Sequence, residues 1–321
     1  MKKVGNFLLT VAPLVVFMAI MSVVQIIAVI VYALIMLTTG NVGNDVMGLF
    51  LDLTGNVNVL MAITAVSQIV TFVCFVIFYK KVMLKNKEMD KVTDVFDIKS
   101  FLSVLFGFFG VEVLVSTCLI LFSMVAPDTM EEYANFIEAT GLGENTFFSV
   151  LAAVVCAPIV EELVFRGVTF KLARKFTGSF IIANCIQAFM FGLAHITSAN
   201  LVQPIYALCL GLILGFIYKK FNSLYATILA HLSFNLMGTV GVGLVFADEN
   251  PSGIYICTVA LVAVAIIVIA TINIVKSEKC KQREAMFIAE SNALAPIKTV
   301  TIDESFLKEK NEETENKEAD F

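Results

Sequence analysis

Tryptophan is absent from this chain, and only two of its 321 residues are histidine. Charged side chains make up 15% of it, well below the quarter usual in soluble domains. The 22 Lys and Arg against 27 Asp and Glu form no basic stripe and no nucleic-acid motif, so nucleic acid is excluded as a partner. The seven cysteines include no CxxC pair, and six of them lie in apolar runs, which excludes a disulfide framework or a cysteine zinc site and reads as small core or lipid-facing residues. There is no GxSxG elbow, no HExxH and no Asp within an apolar span, which removes serine, thermolysin-like and aspartyl-pair hydrolysis. No internal repeat is present, and with it goes the signature of an inverted-repeat transporter.

What fills the chain is hydrocarbon: 59% of residues are hydrophobic and the mean hydropathy is +0.89. A helix needs about 20 apolar residues to cross a bilayer, and segments that meet this run at about Phe7–Leu37, Val57–Tyr79, Phe101–Ala126, Phe147–Phe170, Phe180–His195, Leu201–Tyr218, Leu224–Phe246 and Ile254–Val275. The first is too long for a signal peptide and has no cleavage site, so it reads as a retained span. Lys and Arg are confined to alternate loops. Thr38–Asn56, Pro127–Thr146, Ile196–Asn200 and Ala247–Gly253 hold none, which by the positive-inside rule puts the basic loops and both termini in the cytoplasm. The fold class expected is therefore all-α, a polytopic membrane helical bundle of about eight transmembrane helices.

Four regions follow from this reading: 1–126 with helices one to three, 127–146 as an extracytoplasmic loop, 147–275 as a core of helices four to eight, and 276–321 as a charged cytoplasmic tail. Within the loop, Met130–Leu142 spaces its apolar residues three and four apart, as in a short amphipathic helix. The tail has low hydrophobicity and mixed charge, and is expected to be largely disordered from about Glu290.

The informative residues are polar ones inside apolar runs. Pro158-Ile159-Val160-Glu161-Glu162-Leu163-Val164-Phe165-Arg166 puts two carboxylates and a guanidinium where bare hydrocarbon tolerates none. Glu162 and Arg166 are four apart with the acid first, the spacing of a helical ion pair. Glu161 lies about 100° round the helix and is left free for chemistry. Pro158 removes a backbone donor at the site and is expected to kink the helix. His195 closes one span, and His231 stands one helical turn before Asn235 in another. Such a set suits amide hydrolysis by water, with Glu161 as base, one imidazole binding the water, and the other with Asn235 donating to an oxyanion. Glu161, His195 and His231 are also a possible ligand set for a divalent metal such as zinc, although no cofactor is required.

Glu161-Glu162-x-x-x-Arg166, Phe191-x-x-x-His195 and His231-x-x-x-Asn235, in order and in successive spans, resemble the three motifs of the CAAX prenyl protease and bacteriocin-processing family of intramembrane proteases, over about Phe147 to Gly243. The resemblance implies an eight-helix bundle with a cavity reached from the cytoplasm. It also implies Glu161 as catalytic base, His195, His231 and Asn235 on water and oxyanion, and Glu162 and Arg166 in support. The substrate expected is a CAAX-like or small peptide or protein, lipidated or not, cut at the cytoplasmic side of what would be a bacterial plasma membrane. The alternative is a non-hydrolytic scaffold or bacteriocin-immunity protein using the same pocket for binding. A proton-coupled transporter ranks third.

Counted from the basic loops, His195 lies about 14 residues into its span and His231 about 7, so the fourth and fifth helices are expected to project or tilt. Glu112 is either a second partner for Arg166 or a carboxyl held in a helix interface. Asn184 and Gln187 are expected to tie helices together, and Gly211-x-x-x-Gly215 to be a close-packing face.

Overall fold

The computed structural model describes residues 2–39, 48, 53, 55–84, 90–141, 144–196, 200–248 and 251–294, and every regular element among them is helical. In chain order these are α1 Lys2–Thr39, α2 Val57–Met83, α3 Val92–Val95, α4 Ile98–Ser123, α5 Pro127–Thr140 and α6 Phe147–Thr177. There follow α7 Phe180–Ala194, α8 Val202–Phe221, α9 Leu224–Val245, α10 Gly253–Lys276 and α11 Glu278–Leu294. Seven helices (α1, α2, α4, α6, α8, α9 and α10) are long and apolar enough to cross a bilayer. The eighth apolar helix, α7, has 15 residues, about 22 Å at 1.5 Å per residue, short of the hydrocarbon thickness of ~30 Å. The outward faces of α1 and α10 carry bare Ile, Leu and Val, as expected of a multi-pass integral membrane protein. All seven cysteines are free thiols.

In lipid, helices associate through close packing and not through the hydrophobic effect, so small residues mark the seams. An added Cβ at Gly107 of α4 would stand 2.9 Å from the Ala270 Cβ of α10. On α8, a Cβ at Gly211 would meet Ala188 of α7 at 3.0 Å, and one at Gly215 would fall 1.6 Å from Asn184 Oδ1. Asn184 Nδ2 donates to the Leu212 carbonyl (3.1 Å), and Gln187 Nε2 to the Gly211 carbonyl and Asn184 Oδ1 (both 2.8 Å). The Gly211/Gly215 face and the two amides thus form one α7–α8 seam, in the roles the sequence pattern assigns them. Gly215→Ala should cost about 1–3 kcal/mol by overpacking. Detergent thermal unfolding checks this, and the cost should shrink in an Asn184→Ala background.

Within the charged tail expected over 276–321, Glu278–Leu294 is helical and docked, which includes the first residues past Glu290. Residues 295–321 lie outside the described ones. Cys280, Arg283 and Phe287 face inward from α11. Arg283 donates to the Phe221 and Asn222 carbonyls (2.8 and 2.7 Å) and pairs with Asp90, so it caps the C-terminus of α8. Arg174 of α6 donates to the Phe287 carbonyl (3.1 Å) with its guanidinium 3.9 Å from that ring. At the α10–α11 junction the Ser277 hydroxyl donates to Asp97 (2.6 Å), which also caps α4 by accepting from Ser100 N (2.7 Å).

Burial alone would raise the Asp97 carboxyl, but Ser277, Ser100 and Lys279 hold it below its ordinary value. Its contribution is therefore present above the unfolded pKa and lost as pH falls through the lower folded one. Asp97→Ala should cost about 1–2 kcal/mol, read as earlier unfolding and faster proteolysis at the α10–α11 junction.

α5 is the amphipathic helix expected in the 127–146 loop, closed by Gly141 at φ +69. It lies over the bundle through a Tyr133–Tyr206 hydroxyl bond (3.1 Å) and Asn200 Nδ2 donating to the Thr129 carbonyl (2.9 Å).

Candidate active site

α6 carries the paired glutamates in a short α-helical stretch, Ala157–Glu162, between two wide π-type stretches, Leu151–Cys156 and Leu163–Phe170. Such turns are frequent at functional sites. The local cause at the first is Pro158. The Ala157 N–H bonds to the Ala152 carbonyl, and the next donor in line for Ala153 would be Pro158, which has none. The Ala153 carbonyl instead accepts from Asn235 Nδ2 at 2.7 Å. The backbone deficit made by Pro158 is what fixes Asn235 beside Glu161. One Asn235 N–H is spent on this bond and the other remains for a ligand.

Glu162 and Arg166 are both fully buried and paired at 2.7 Å. Arg166 Nη2 donates to the Gly211 carbonyl (3.1 Å), and the guanidinium lies 4.8 Å from the centre of the Phe191 ring. Glu162 Oε1 also bonds His231 Nδ1 at 2.9 Å. That bond turns His231 Nε2 toward Glu161, whose Oε2 lies 3.8 Å away. His195 is tethered in the same manner, Nδ1 to the Phe191 carbonyl at 2.8 Å. Because a carbonyl only accepts, His195 Nδ1 carries the proton and its Nε2 presents a lone pair. The Phe191 ring packs edge-on against both imidazoles, at 4.7 and 5.6 Å between centroids.

Glu161, His195, His231 and Asn235 all line one cavity of about 630 Å³, within the range of ligand pockets. Glu161 keeps 16% of its side-chain surface open, while Glu162 keeps none. The structure therefore brings all six sequence-selected residues into one cluster, with Glu161 as the accessible acid and Glu162 as the anchored one. Among the described residues, no three His, Cys, Asp or Glu side chains converge as a ligand set. Glu112 is not a partner for Arg166. It accepts from the Ser116 hydroxyl at 3.0 Å on its own helix and faces Gly238 of α9.

The helices meet at unequal distances from their ends. His231 lies roughly 10 Å from the start of α9 and Glu161 roughly 24 Å from the end of α6. Those side chains nevertheless meet at 3.8 Å. The rest of the cavity wall escaped the sequence reading. Gln68 on α2, Gln25 on α1 and Gln203 on α8 line it, as does Phe136 of α5. Each glutamine is an uncharged amide in a largely apolar run, a signal available but weak.

Fold and site together define a multi-pass helical membrane protein with a buried Glu, His and Asn cluster opening on an internal cavity. In comparisons with known proteins, residues 143–237 match the family described as type II CAAX prenyl endopeptidase Rce1-like, the stretch that holds all three motifs. The chain is also similar to "Putative membrane peptidase YdiL" of Bacillus subtilis (strain 168), 27% identical over 123 residues. That alignment covers 36% of this chain and 49% of the relative, so the chain spans about half the length of the curated relative it matches. No solved structure matches.

Proposed function

We propose that this protein is an intramembrane endopeptidase that hydrolyses a peptide bond with a water activated by Glu161. The observation that carries the reading is the Glu162–His231 bond at 2.9 Å, which commits one imidazole nitrogen to the buried ion pair and frees the other to face Glu161 and the cavity. Buried orienting partners of this kind fix tautomer and direction.

A water in the cavity can donate one hydrogen to Glu161 and the other to the His195 Nε2 lone pair. Both of its hydrogens are then held and its oxygen lone pair is aimed at the scissile carbonyl. Glu161 takes the proton as the C–O bond forms. Protonated His231, its Nδ1–H on Glu162, presents Nε2–H to the oxyanion together with the second Asn235 N–H. In that form Glu161, Glu162, Arg166 and His231 sum to zero charge, as burial favours. Collapse of the tetrahedral intermediate breaks the C–N bond, and Glu161 returns the proton to the leaving amine. No metal enters any step.

The family description of the matched region and the mostly apolar lining of the cavity support a CAAX-like or small apolar peptide or protein substrate, lipidated or not, as partner. The alternation of basic loops supports delivery from the cytoplasmic side of a bacterial plasma membrane, with both termini on that side.

The test is cleavage of a quenched fluorescent peptide library by purified protein in detergent, with Glu161→Gln beside wild type and with and without chelator. Turnover that survives chelation and vanishes in the variant is the expected result. Loss with chelator, restored by zinc, would replace the water mechanism with a metalloenzyme. Binding without cleavage by either protein would favour the scaffold or immunity reading.

A further inference from the structure

Part of the cavity wall comes from α1 and α2, which lie outside the matched stretch 143–237. Gln68 stands on that wall with only 8% of its surface exposed. Its Oε1 is buried without a hydrogen-bond partner, and among the described residues its Nε2 has none either. Its neighbours on α2 satisfy themselves locally: Ser67 and Thr71 donate to their own helix at 2.5 and 2.7 Å, and Thr64 to Leu60 at 3.0 Å. Gln68 has too long a side chain to do so comfortably, and it spends its amide on nothing in the protein.

An unpaired buried amide is costly, and doubly so in a membrane protein, unless something that enters the site completes it. A peptide drawn into an apolar cavity has the complementary need, because each of its backbone units brings one donor and one acceptor out of water. A primary amide offers an acceptor and a donor side by side, the match of a single peptide group. Gln25 of α1 lines the same cavity and adds a second amide in the N-terminal pair of helices. The remainder of that side is mostly apolar, Phe17, Met21 and Met61 among it, with the hydroxyls of Ser22 and Thr64 beside them.

We infer that Gln68 is a substrate-positioning residue that hydrogen-bonds one backbone peptide group of an extended apolar peptide and holds the chain across Glu161. The inference rests on the endopeptidase reading for its substrate class, and it assigns to α1 and α2 the grip on the chain while α6, α7 and α9 do the chemistry. Gln68 touches no reacting atom, so its loss acts on substrate affinity and not on the chemical step.

The test uses the full-length protein in detergent and the best-cleaved peptide of the library, together with analogues in which one backbone amide at a time is replaced by an ester. Gln68→Leu should raise KM about tenfold with kcat within about twofold. One ester position should cost the wild type about tenfold and cost Gln68→Leu little, because the deleted N–H is the one that Gln68 Oε1, buried in the free protein, accepts once the side chain turns toward the bound peptide. Thermal unfolding of Gln68→Leu should be unchanged or later, since an unpaired polar group has been removed.

An unchanged KM, ester penalties equal in both proteins at every position, or a destabilised Gln68→Leu would overturn the inference. If the wild type cleaves nothing, the endopeptidase reading fails by itself, and anisotropy of a labelled apolar octapeptide pool decides for Gln68. Binding tenfold weaker in Gln68→Leu upholds the positioning role, and equal binding ends it.

Discussion

Arg166→Met should destabilise the protein by about 3–5 kcal/mol, the usual cost of removing one partner from a buried pair. Arg166 is fully buried, and its loss strands Glu162 as an uncompensated carboxylate with only His231 beside it. It also removes the donor to Gly211 and the cation against Phe191. Arg166→Lys should recover only part of the loss, because a point charge cannot reach Glu162 and the Gly211 carbonyl together as the guanidinium fork does. The double variant Glu162→Gln/Arg166→Met is the informative one. Replacing both charges commonly restores stability, but here the Glu162 carboxylate also orients His231. Thermal unfolding should therefore return toward wild type while peptide turnover stays absent. Recovery of both would mean that the ion pair serves stability alone, and recovery of neither would mean that Arg166 acts through Gly211 and Phe191.

The parts of this molecule legible in its sequence are those where a polar residue contradicts its surroundings. Glu161, Glu162, Arg166, His195, His231 and Asn235 stand out because hydrocarbon penalises them, and the spacing of Glu162 from Arg166 was enough to name the pair. Gly211 and Gly215 were legible because small residues repeat at helical spacing where no side chain has room.

The illegible parts are those where the contradiction is resolved at a distance. α11 reads as a charged tail because only Cys280, Arg283 and Phe287 face inward, and the arginine among them is neutralised by Asp90 and by carbonyls of α8, far away in sequence. Pro158 announced a disturbed helix, but nothing local says that the freed Ala153 carbonyl is met by Asn235, 82 positions on. Glu112 was open between two roles, and the fold chose the helix interface by placing Ser116 within reach. α7 carries a span-like composition over only 15 residues, and its C-terminal end is where His195 needs to be.

Glu161→Gln and Glu162→Gln, two neighbouring and formally identical changes, should fail in opposite ways. Among the described residues Glu161 makes no hydrogen bond, with His231 Nε2 3.8 Å away, and it keeps an open face on the cavity. Its amide should leave thermal unfolding within about 1 kcal/mol of wild type while lowering kcat by about 10²–10⁴, the scale of a lost general base. Peptide affinity should hold, since the same volume and polarity line the pocket. Glu162→Gln removes the counter-charge of a fully buried arginine and the carboxylate that orients the His231 ring, so it should lower stability and turnover together. Measuring unfolding temperature, kcat and peptide binding on both variants resolves the roles. A stable, binding, inactive Glu161→Gln beside an unstable, inactive Glu162→Gln assigns the base to Glu161. The reverse pattern would move the base to Glu162 and require the cavity to open on the other face of α6.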